Sequence, residues 1–247
     1  MAEALHVVAV SGGKDSTAMA LRLHEVDPGG RPVYLITPTG DELPEMVAHW
    51  ENLECMLGAK LTRVTHHTLA SLIEHFGALP SWRMRWCTRM LKIEPCLAWL
   101  KANHADRQVV LSVGLRADEP ERKGIYSKDV PTRFPLREWG WGIDDVKRYL
   151  SKRGVSVPAR TDCARCYDQR LGEWHTLWND YPEIFTDAEA QEKRYGHTFR
   201  SPTKGGTWPA ALKDMRAEFE RGRIPPGHRL QVEMFDDEQE ACRICKL

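Results

Sequence analysis

A short apolar run that stops at a glycine-rich turn is the feature that most limits how this chain can fold. Residues 5–10 form an apolar stretch typical of a buried strand, and the stretch ends at a Ser-Gly-Gly sequence. A helical pattern of apolar residues then runs from about Asp15 to about His24. A strand joined by a tight turn to a helix predicts a βα unit, with the turn at the carboxyl end of the strand.

The same alternation recurs further along the chain. Three more apolar runs predict strands, at residues 32–36, 61–65 and 108–113. Helical patterns lie between them, at residues 44–57, 69–76 and 92–102. Strands that alternate with helices predict an α/β fold, in which a parallel, doubly wound sheet is covered on both faces. Right-handed crossovers then bring the strand-to-helix loops to one edge, where such sheets bind ligands.

The pattern changes at about residue 160. Apolar strands stop there, and tryptophan and tyrosine residues lie among charged residues, prolines and glycines. We therefore predict a sheet domain over residues 1–159 and a mostly helical, cysteine-containing appendage over residues 160–247. The appendage has few long apolar runs, so we expect it to need a metal site to dock on the sheet domain.

Charge and hydropathy exclude several classes of protein. The 247 residues include 35 Lys and Arg and 35 Asp and Glu, so only a local patch could attract nucleic acid. No apolar run approaches the roughly 20 residues of a membrane span, and residues 1–6 lack the features of a secretory signal. We expect a cytoplasmic protein without a membrane partner, whose seven cysteines are thiols or metal ligands.

The turn after the first strand carries the strongest chemical signal. It reads Ser11-Gly12-Gly13-Lys14-Asp15-Ser16. Two glycines allow close backbone approach to a phosphate, while the helix N-terminus supplies N–H donors and the lysine a positive charge. The aspartate could cap the helix or hold Mg²⁺. The order of residues differs from a Walker A motif, so a different type of phosphate loop is predicted.

The six residues of this loop resemble the signature of the PP-loop ATP pyrophosphatases, which belong to the adenine nucleotide alpha-hydrolase-like superfamily. The resemblance implies a HUP/PP-loop-type fold and binding of ATP and Mg²⁺. It also implies nucleophilic attack at the α-phosphate, which yields pyrophosphate together with AMP or an adenylylated substrate.

Four later segments resemble the phosphoadenosine phosphosulfate reductase family, and they occur in that family's order. The motifs are T-G-x-x-x-P-E, C-x-x-x-x-K-x-x-P, G-x-R-x-x-E-x-x-R and P-L-x-x-W followed by D-V-x-x-Y-L. They lie at residues 39–45, 86–95, 114–122 and 135–150. The resemblance covers about residues 5–170 and implies this branch of the superfamily.

The matched motifs imply functional residues. The catalytic ones are Lys14, Asp15, Arg116 and Arg122. The nucleotide-binding ones are Ser11, Gly12, Gly13, Lys14, Asp15, Ser16, Thr39, Glu42, Lys92, Gly114 and Arg116. Forked guanidinium donors suit tetrahedral oxyanions, so we assign the two arginines to the α-phosphate or to an anionic second substrate. The alternative is that they are solvated loop charges. We expect both to matter more to turnover than to folding.

Two Cys-x-x-C pairs predict a thiolate metal site, either an iron–sulfur cluster or zinc. They are Cys163/Cys166 and Cys242/Cys245. One interpretation joins the two pairs in a single site. Resemblance to the sulfonucleotide reductases implies instead that Cys87 joins Cys163 and Cys166 around a 4Fe–4S cluster. Either of Cys242 and Cys245, or Cys96, would then be the fourth ligand.

Three other features have competing interpretations. Arginine and tryptophan interleave over residues 82–86, a pattern found in single-strand nucleic-acid binders. We favour the alternative, in which the tryptophans pack into the core and the arginines line the nucleotide pocket. His66 and His67 are interpreted as ordinary surface or core residues, and Cys55 as a core residue of its helix.

Three functions fit these motifs. The first is an ATP pyrophosphatase that adenylylates an acceptor for sulfur transfer or nucleic-acid modification, with a nucleic acid or a protein as acceptor. The second is a sulfonucleotide reductase. Those reductases have an altered phosphate loop and a Glu-Cys-Gly-Leu-His-like tail, whereas this chain ends Cys245-Lys246-Leu247. The third is a non-catalytic nucleotide-binding subunit. A homodimer is compatible with each.

Overall fold

The computed structural model describes residues 4–103, 108–122, 130–201 and 206–226. Its centre is a five-stranded, all-parallel sheet in the order β3-β2-β1-β4-β5. The strands are β1 (Leu5–Ala9), β2 (Val33–Ile36), β3 (Thr62–Arg63), β4 (Val109–Ser112) and β5 (Thr132–Arg133). The predicted parallel α/β fold is confirmed. The fifth strand was not predicted, because two residues are too few for a periodic pattern.

Ten helices occur among the described residues. They are α1 (Lys14–Val26), α2 (Pro44–Leu57), α3 (Leu69–Phe76), α4 (Trp86–Thr88), α5 (Glu94–Asn103), α6 (Pro135–Glu138), α7 (Ile143–Lys152), α8 (Leu171–Asp180), α9 (Pro182–Tyr195) and α10 (Leu212–Glu220). A π-helical stretch, Arg89–Ile93, joins α4 to α5. Such stretches often occur at functional sites. None of the described helices is long and apolar enough to cross a membrane.

Alternate residues of β1 point into two different cores, as the strand period requires. Val8 packs with α1, α2, α6 and α7 on one face of the sheet. Val7 packs with Leu100 of α5 and with Leu111 of β4 on the other face. Helices therefore cover both faces, and the predicted doubly wound arrangement is confirmed.

The strand order reverses at β1, which pairs with β2 on one side and β4 on the other. Val8 lies opposite Tyr34 of β2 and opposite Ser112 of β4. Because all five strands run in the same direction, the loops after β1, β2 and β4 lie at one edge of the sheet. In open sheets of this type, ligands bind where the order reverses.

A third core joins the C-terminal helices to the sheet domain. Trp174, Phe185 and Phe199 are fully buried there, in the same cluster as Leu72 and Ile73 of α3. The cluster thus spans the division that we predict at residue 159, and it gives the appendage an apolar contact with the sheet domain. This core could not be predicted from the sequence, because most of its residues are spaced along helices and do not form long apolar runs.

Candidate functional site

The phosphate loop is held in shape by its own two serines. The Ser16 hydroxyl donates to the Gly13 carbonyl over 3.1 Å and accepts the Ser11 N–H over 3.1 Å. The Ser11 hydroxyl in turn accepts the Gly13 N–H over 3.3 Å. Helix α1 begins at Lys14, and Lys14 and Asp15 are both buried. The loop is therefore ordered by internal hydrogen bonds, with a cation and a carboxylate at the start of its helix.

Two of the predicted glycines allow close backbone contacts. Gly12 has a φ of +86°, and a Cβ there would lie 2.6 Å from both Met46 Sδ and Trp50 Nε1. Gly114, in the loop after β4, would place a Cβ 3.2 Å from the backbone at Ser16. A side chain at either position would displace the phosphate loop or its supports.

Each guanidinium nitrogen of Arg116 contacts a carboxylate oxygen. Its Nη1 donates to Asp15 Oδ2 and its Nε to Asp118 Oδ1, each over 2.9 Å, and its Nη2 lies 3.2 Å from Glu119 Oε1. Arg122 lies beside it and contacts the other oxygen of Glu119 over 3.1 Å. The loop after β4 is thereby tied to the start of α1. Arg116 therefore positions Asp15, and each of its three guanidinium nitrogens already contacts a carboxylate.

The Lys14–Asp15 pair is buried beside this arginine, with Nζ 3.8 Å from Oδ2. Burial lowers the pKa of Lys14 and raises the pKa of Asp15, and the charge of each group opposes the shift of the other. Asp15 Oδ1 is buried and has no hydrogen-bond partner among the described residues. A buried carboxylate oxygen without a partner is a donor that fits Mg²⁺.

Arg137 holds the same loop through its backbone, and sequence reasoning missed it. Its guanidinium donates to the carbonyls of Arg116, Glu119 and Arg122 over 3.1, 2.5 and 2.7 Å. Three carbonyls on one guanidinium fix the path of the chain around the two predicted arginines. The signal was available, since Arg137 is part of the P-L-x-x-W motif.

These elements can be compared with known proteins. Residues 5–162 match the family model of the phosphoadenosine phosphosulfate reductase domain. The chain belongs to this family. An uncharacterised protein of Methanocaldococcus jannaschii is 24% identical over 206 residues, which are 76% of this chain. The chain spans 42% of that relative's length. A crystal structure of phosphoadenylyl-sulfate reductase from Candida auris, in a phosphate complex, matches with a TM-score of 0.46 and 13% identity. That match covers 63% of this chain and 76% of the other.

In this family member the loop after β2 is closed by Glu42. One of its carboxylate oxygens accepts the N–H and the hydroxyl of Thr39 over 2.6 and 2.7 Å, and the other accepts the Gly40 N–H over 3.0 Å. Thr39 and Glu42 therefore lie at the predicted edge and are bonded to each other.

Asp41, which sequence reasoning missed, docks the first Cys-x-x-C pair onto this edge. Its carboxylate accepts the N–H and Nε of Arg165 over 2.9 and 2.7 Å, and its carbonyl accepts the Ala164 N–H over 2.6 Å. Burial raises the pKa of Asp41, and Arg165 opposes that rise. The cysteine segment and the β2 loop are consequently one hydrogen-bonded unit.

Three of the predicted metal ligands lie in or against the third core. Cys87 and Cys166 are buried in it, and Cys163 packs against it with its thiol 3.3 Å from Thr39 Oγ1. Burial raises the pKa of Cys87, and that of Cys163 to about 12, while the charge of Lys92 opposes both shifts. Lys92 thus lies near these thiols at the β2 edge.

The other cysteines separate into different environments. Within the described ranges, no three His, Cys, Asp or Glu side chains form a group that could hold a metal. Cys242 and Cys245 fall outside those ranges. Cys96 packs on the opposite face of the sheet. The prediction that Cys55 is a core residue is wrong, since it is exposed on α2, whose buried face carries Trp50 and Leu53.

The interleaved stretch at residues 82–86 divides between core and surface. Trp86 packs against the third core, as we expect from the sequence, but Trp82 is 60% exposed. The turn Ser81–Met84 closes with backbone hydrogen bonds in both directions, and this turn presents Trp82 and Arg83 outward. The Arg83 guanidinium lies 4.9 Å from the Trp82 ring centre. His66 and His67 are both exposed.

Proposed function

We propose that this protein binds ATP with Mg²⁺ at residues 11–16 and cleaves the bond between the α- and β-phosphates, activating an acceptor by adenylylation. The acceptor step would serve sulfur transfer or nucleic-acid modification. The observation that carries the proposal is the intact Ser-Gly-Gly-Lys-Asp-Ser loop, with Lys14 and Asp15 buried where the strand order reverses.

The geometry at the edge of the sheet supports a role for each residue. Backbone N–H groups at the start of α1 and the Lys14 ammonium bind phosphate oxygens. Asp15 would hold Mg²⁺ through Oδ1, which has no hydrogen-bond partner among the described residues, while Arg116 fixes the orientation of the same carboxylate through Oδ2. Bound Mg²⁺ withdraws charge from the phosphate oxygens. The acceptor's nucleophile then forms a bond to the α-phosphorus, and the bond to the bridging oxygen breaks with release of pyrophosphate.

A sulfonucleotide reductase is the second candidate, and the family match supports it to the same degree. The two reactions are distinguished by the nucleotide bound and by the product. Calorimetric titration should show ATP–Mg²⁺ binding more tightly than adenosine phosphosulfate or its 3′-phosphorylated form. Pyrophosphate released from ATP with acceptor present would support the first proposal. Sulfite released from a sulfonucleotide with a thiol reductant would replace it with the second. ATP binding without turnover would support the third function, a non-catalytic nucleotide-binding subunit.

We also propose a 4Fe–4S cluster, with zinc as the alternative, held by Cys87, Cys163, Cys166 and either Cys242 or Cys245. The three described cysteines share one core, which supports the assignment, although they do not form a ready three-thiol group. Metal analysis and a visible spectrum of protein purified without oxygen test it. Less than about half an equivalent of iron plus zinc per chain contradicts a filled site. Cys55→Ser is the control for Cys166→Ser, since Cys55 is exposed.

A nucleic-acid acceptor is supported by the exposed Trp82–Arg83 turn. An indole face with a guanidinium beside it can stack a base and contact a phosphate, as in single-strand binders. Trp82→Ala should weaken binding of a single-stranded oligonucleotide by about 1–3 kcal/mol, measured by fluorescence anisotropy. Met56→Ala, an exposed apolar control on α2, should leave the affinity unchanged. Equal affinity in the two variants would favour a protein acceptor.

A further inference from the structure

The segment that leads into the first cysteine pair passes directly beside the phosphate loop. The Thr161 hydroxyl oxygen lies 3.6 Å from the point where a Cβ on Gly13 would stand. Ser11 Oγ, which belongs to the loop itself, lies 3.5 Å from the same point. Thr161 therefore borders the loop as closely as one of its own serines does.

The preceding residue, Arg160, is a buried cation with an unused donor. Its side chain is 8% exposed, and Nη2 donates to the Cys163 carbonyl over 2.8 Å. Nη1 is buried and has no hydrogen-bond partner among the described residues. An unmade hydrogen bond on a buried guanidinium is costly, so a donor of this kind points to a ligand.

The charge of Arg160 is also poorly neutralised. Its ion-pair partner Asp162 has Oδ1 3.5 Å from Nε, beyond the usual length of a strong hydrogen bond. Arg116, by contrast, has a carboxylate within 3.2 Å of each of its three guanidinium nitrogens. Of these two arginines, Arg160 is the one with a guanidinium nitrogen that has no hydrogen-bond partner among the described residues.

A hydrogen bond to the cysteine segment holds Arg160 at the ligand edge of the sheet. Cys163, whose carbonyl it binds, has its thiol against Thr39 in the loop after β2. The Tyr181 hydroxyl donates to Glu45 at the start of α2 over 2.7 Å. Burial and that bond raise the pKa of Tyr181, and Arg160 opposes the rise. Arg160 is thus attached, through the Cys163 carbonyl, to the segment that packs on the loop after β2.

We propose that Arg160 and the Thr161 hydroxyl bind the pyrophosphate end of the nucleotide held by the phosphate loop. This inference rests on the proposed function, because it deepens the description of the same site. A forked cation beside a neutral hydroxyl suits the tetrahedral oxyanions of a terminal phosphate. The segment that carries the cysteine pair thereby supplies part of the phosphate site.

The experiment compares three probes, ATP–Mg²⁺, inorganic pyrophosphate and AMP, by calorimetric titration of the full chain. Arg160→Ala should weaken ATP and pyrophosphate about 10- to 100-fold, the range for a charge-assisted hydrogen bond, and AMP by less than about twofold. Arg160→Lys should recover part of the loss, because it keeps the charge without the fork. Thr161→Val should weaken the same two probes about two- to tenfold. Arg148→Ala, an exposed arginine on α7, is the control.

The probe pattern separates binding from a structural role. If Arg160 only anchors the Cys163 carbonyl, its loss should weaken AMP as much as pyrophosphate, and that result overturns the inference. Unchanged pyrophosphate affinity in both Arg160 variants overturns it too. If Arg160→Ala does not fold, Arg160→Lys decides, with pyrophosphate weakened about fivefold or more and AMP retained. A wild-type protein that binds neither ATP nor pyrophosphate defeats the proposed function and this inference together, whereas binding that ignores Arg160 defeats only the inference.

Discussion

Two regions of the molecule are stabilised by different forces: the sheet edge that carries the phosphate loop, called here the phosphate edge, and the third core, called here the C-terminal core. At the edge, backbones approach closely through glycines, and Arg116 joins two loops through three carboxylates. In the core, Trp174 packs edge-on against Phe185 and beside Phe199. The comparison teaches that one region depends on specific atoms in specific places, while the other depends on filled volume.

Arg116 should give the largest effect on stability. Arg116→Ala leaves the buried Asp15 carboxylate without its guanidinium, so we expect a loss of about 3–5 kcal/mol in the free energy of unfolding. This changes the expectation from the sequence that the residue acts mainly in turnover. Urea denaturation measures the loss. Adding Asp15→Asn should restore part of it, and a single variant within about 1 kcal/mol of wild type would show that the ion pairs do not stabilise the edge.

Trp174 should give a loss of similar size by another mechanism. Trp174→Ala empties a fully buried site and should cost about 3–5 kcal/mol. ATP affinity, measured where the variant is still folded, should stay within about twofold, because the tryptophan has no part in the phosphate loop. Ile224→Ala, at a residue that is 68% exposed, is the control and should change stability by less than about 0.5 kcal/mol. A large loss of ATP affinity would mean that the two regions are not separable.

Glu192 is an ionisable group inside the C-terminal core. Its carboxylate accepts the N–H groups of Phe199 and Leu212 over 2.9 and 2.7 Å, and burial raises its pKa to about 7. A raised carboxyl pKa means that the folded state binds the proton more tightly. The contribution of protonated Glu192 to the free energy of unfolding is therefore full below about pH 4.5 and is lost as the pH rises through about 7. We expect a decrease of about 2–3 kcal/mol between pH 4.5 and 8. The difference in unfolding free energy between wild type and Glu192→Gln, followed against pH, measures it, and a flat difference would contradict it.

Lys14 should affect ATP affinity more than stability, which is the reverse of Trp174. Lys14→Ala should weaken ATP by about 1.5–3 kcal/mol, the range for a hydrogen bond to a charged group. The unfolding free energy should change by less than about 1 kcal/mol, because burial already disfavours the ammonium ion. Titration with ATP–Mg²⁺ measures the first quantity and urea denaturation the second. Lys152→Ala, at an exposed position, is the control. Unchanged ATP affinity would remove the phosphate loop from the proposed function.

The two regions also differ in how far the sequence predicts them. The βα alternation and the glycine-rich turn are contiguous signals, so the sheet and phosphate loop could be predicted, and helices 44–57 and 69–76 have the predicted bounds. The C-terminal core could not, because its aromatic residues come together from separate helices. The docking of Cys163–Cys166 on Asp41 joins residues 124 positions apart, and no local pattern reports such a contact. Tertiary packing likewise determines that Trp82 and Cys55 are exposed, and the local sequence does not report it.

The balance of charge around Arg116 has a kinetic consequence. Three cations and three carboxylates form the network around Arg116: Lys14, Arg116, Arg122, Asp15, Asp118 and Glu119. The whole chain has no net charge either, so the protein presents little long-range field to an approaching polyanion. Nucleotide capture should then proceed without electrostatic steering, at an association rate that changes by less than about twofold between 50 and 500 mM salt. Selection of the ligand is left to the short-range contacts made after encounter.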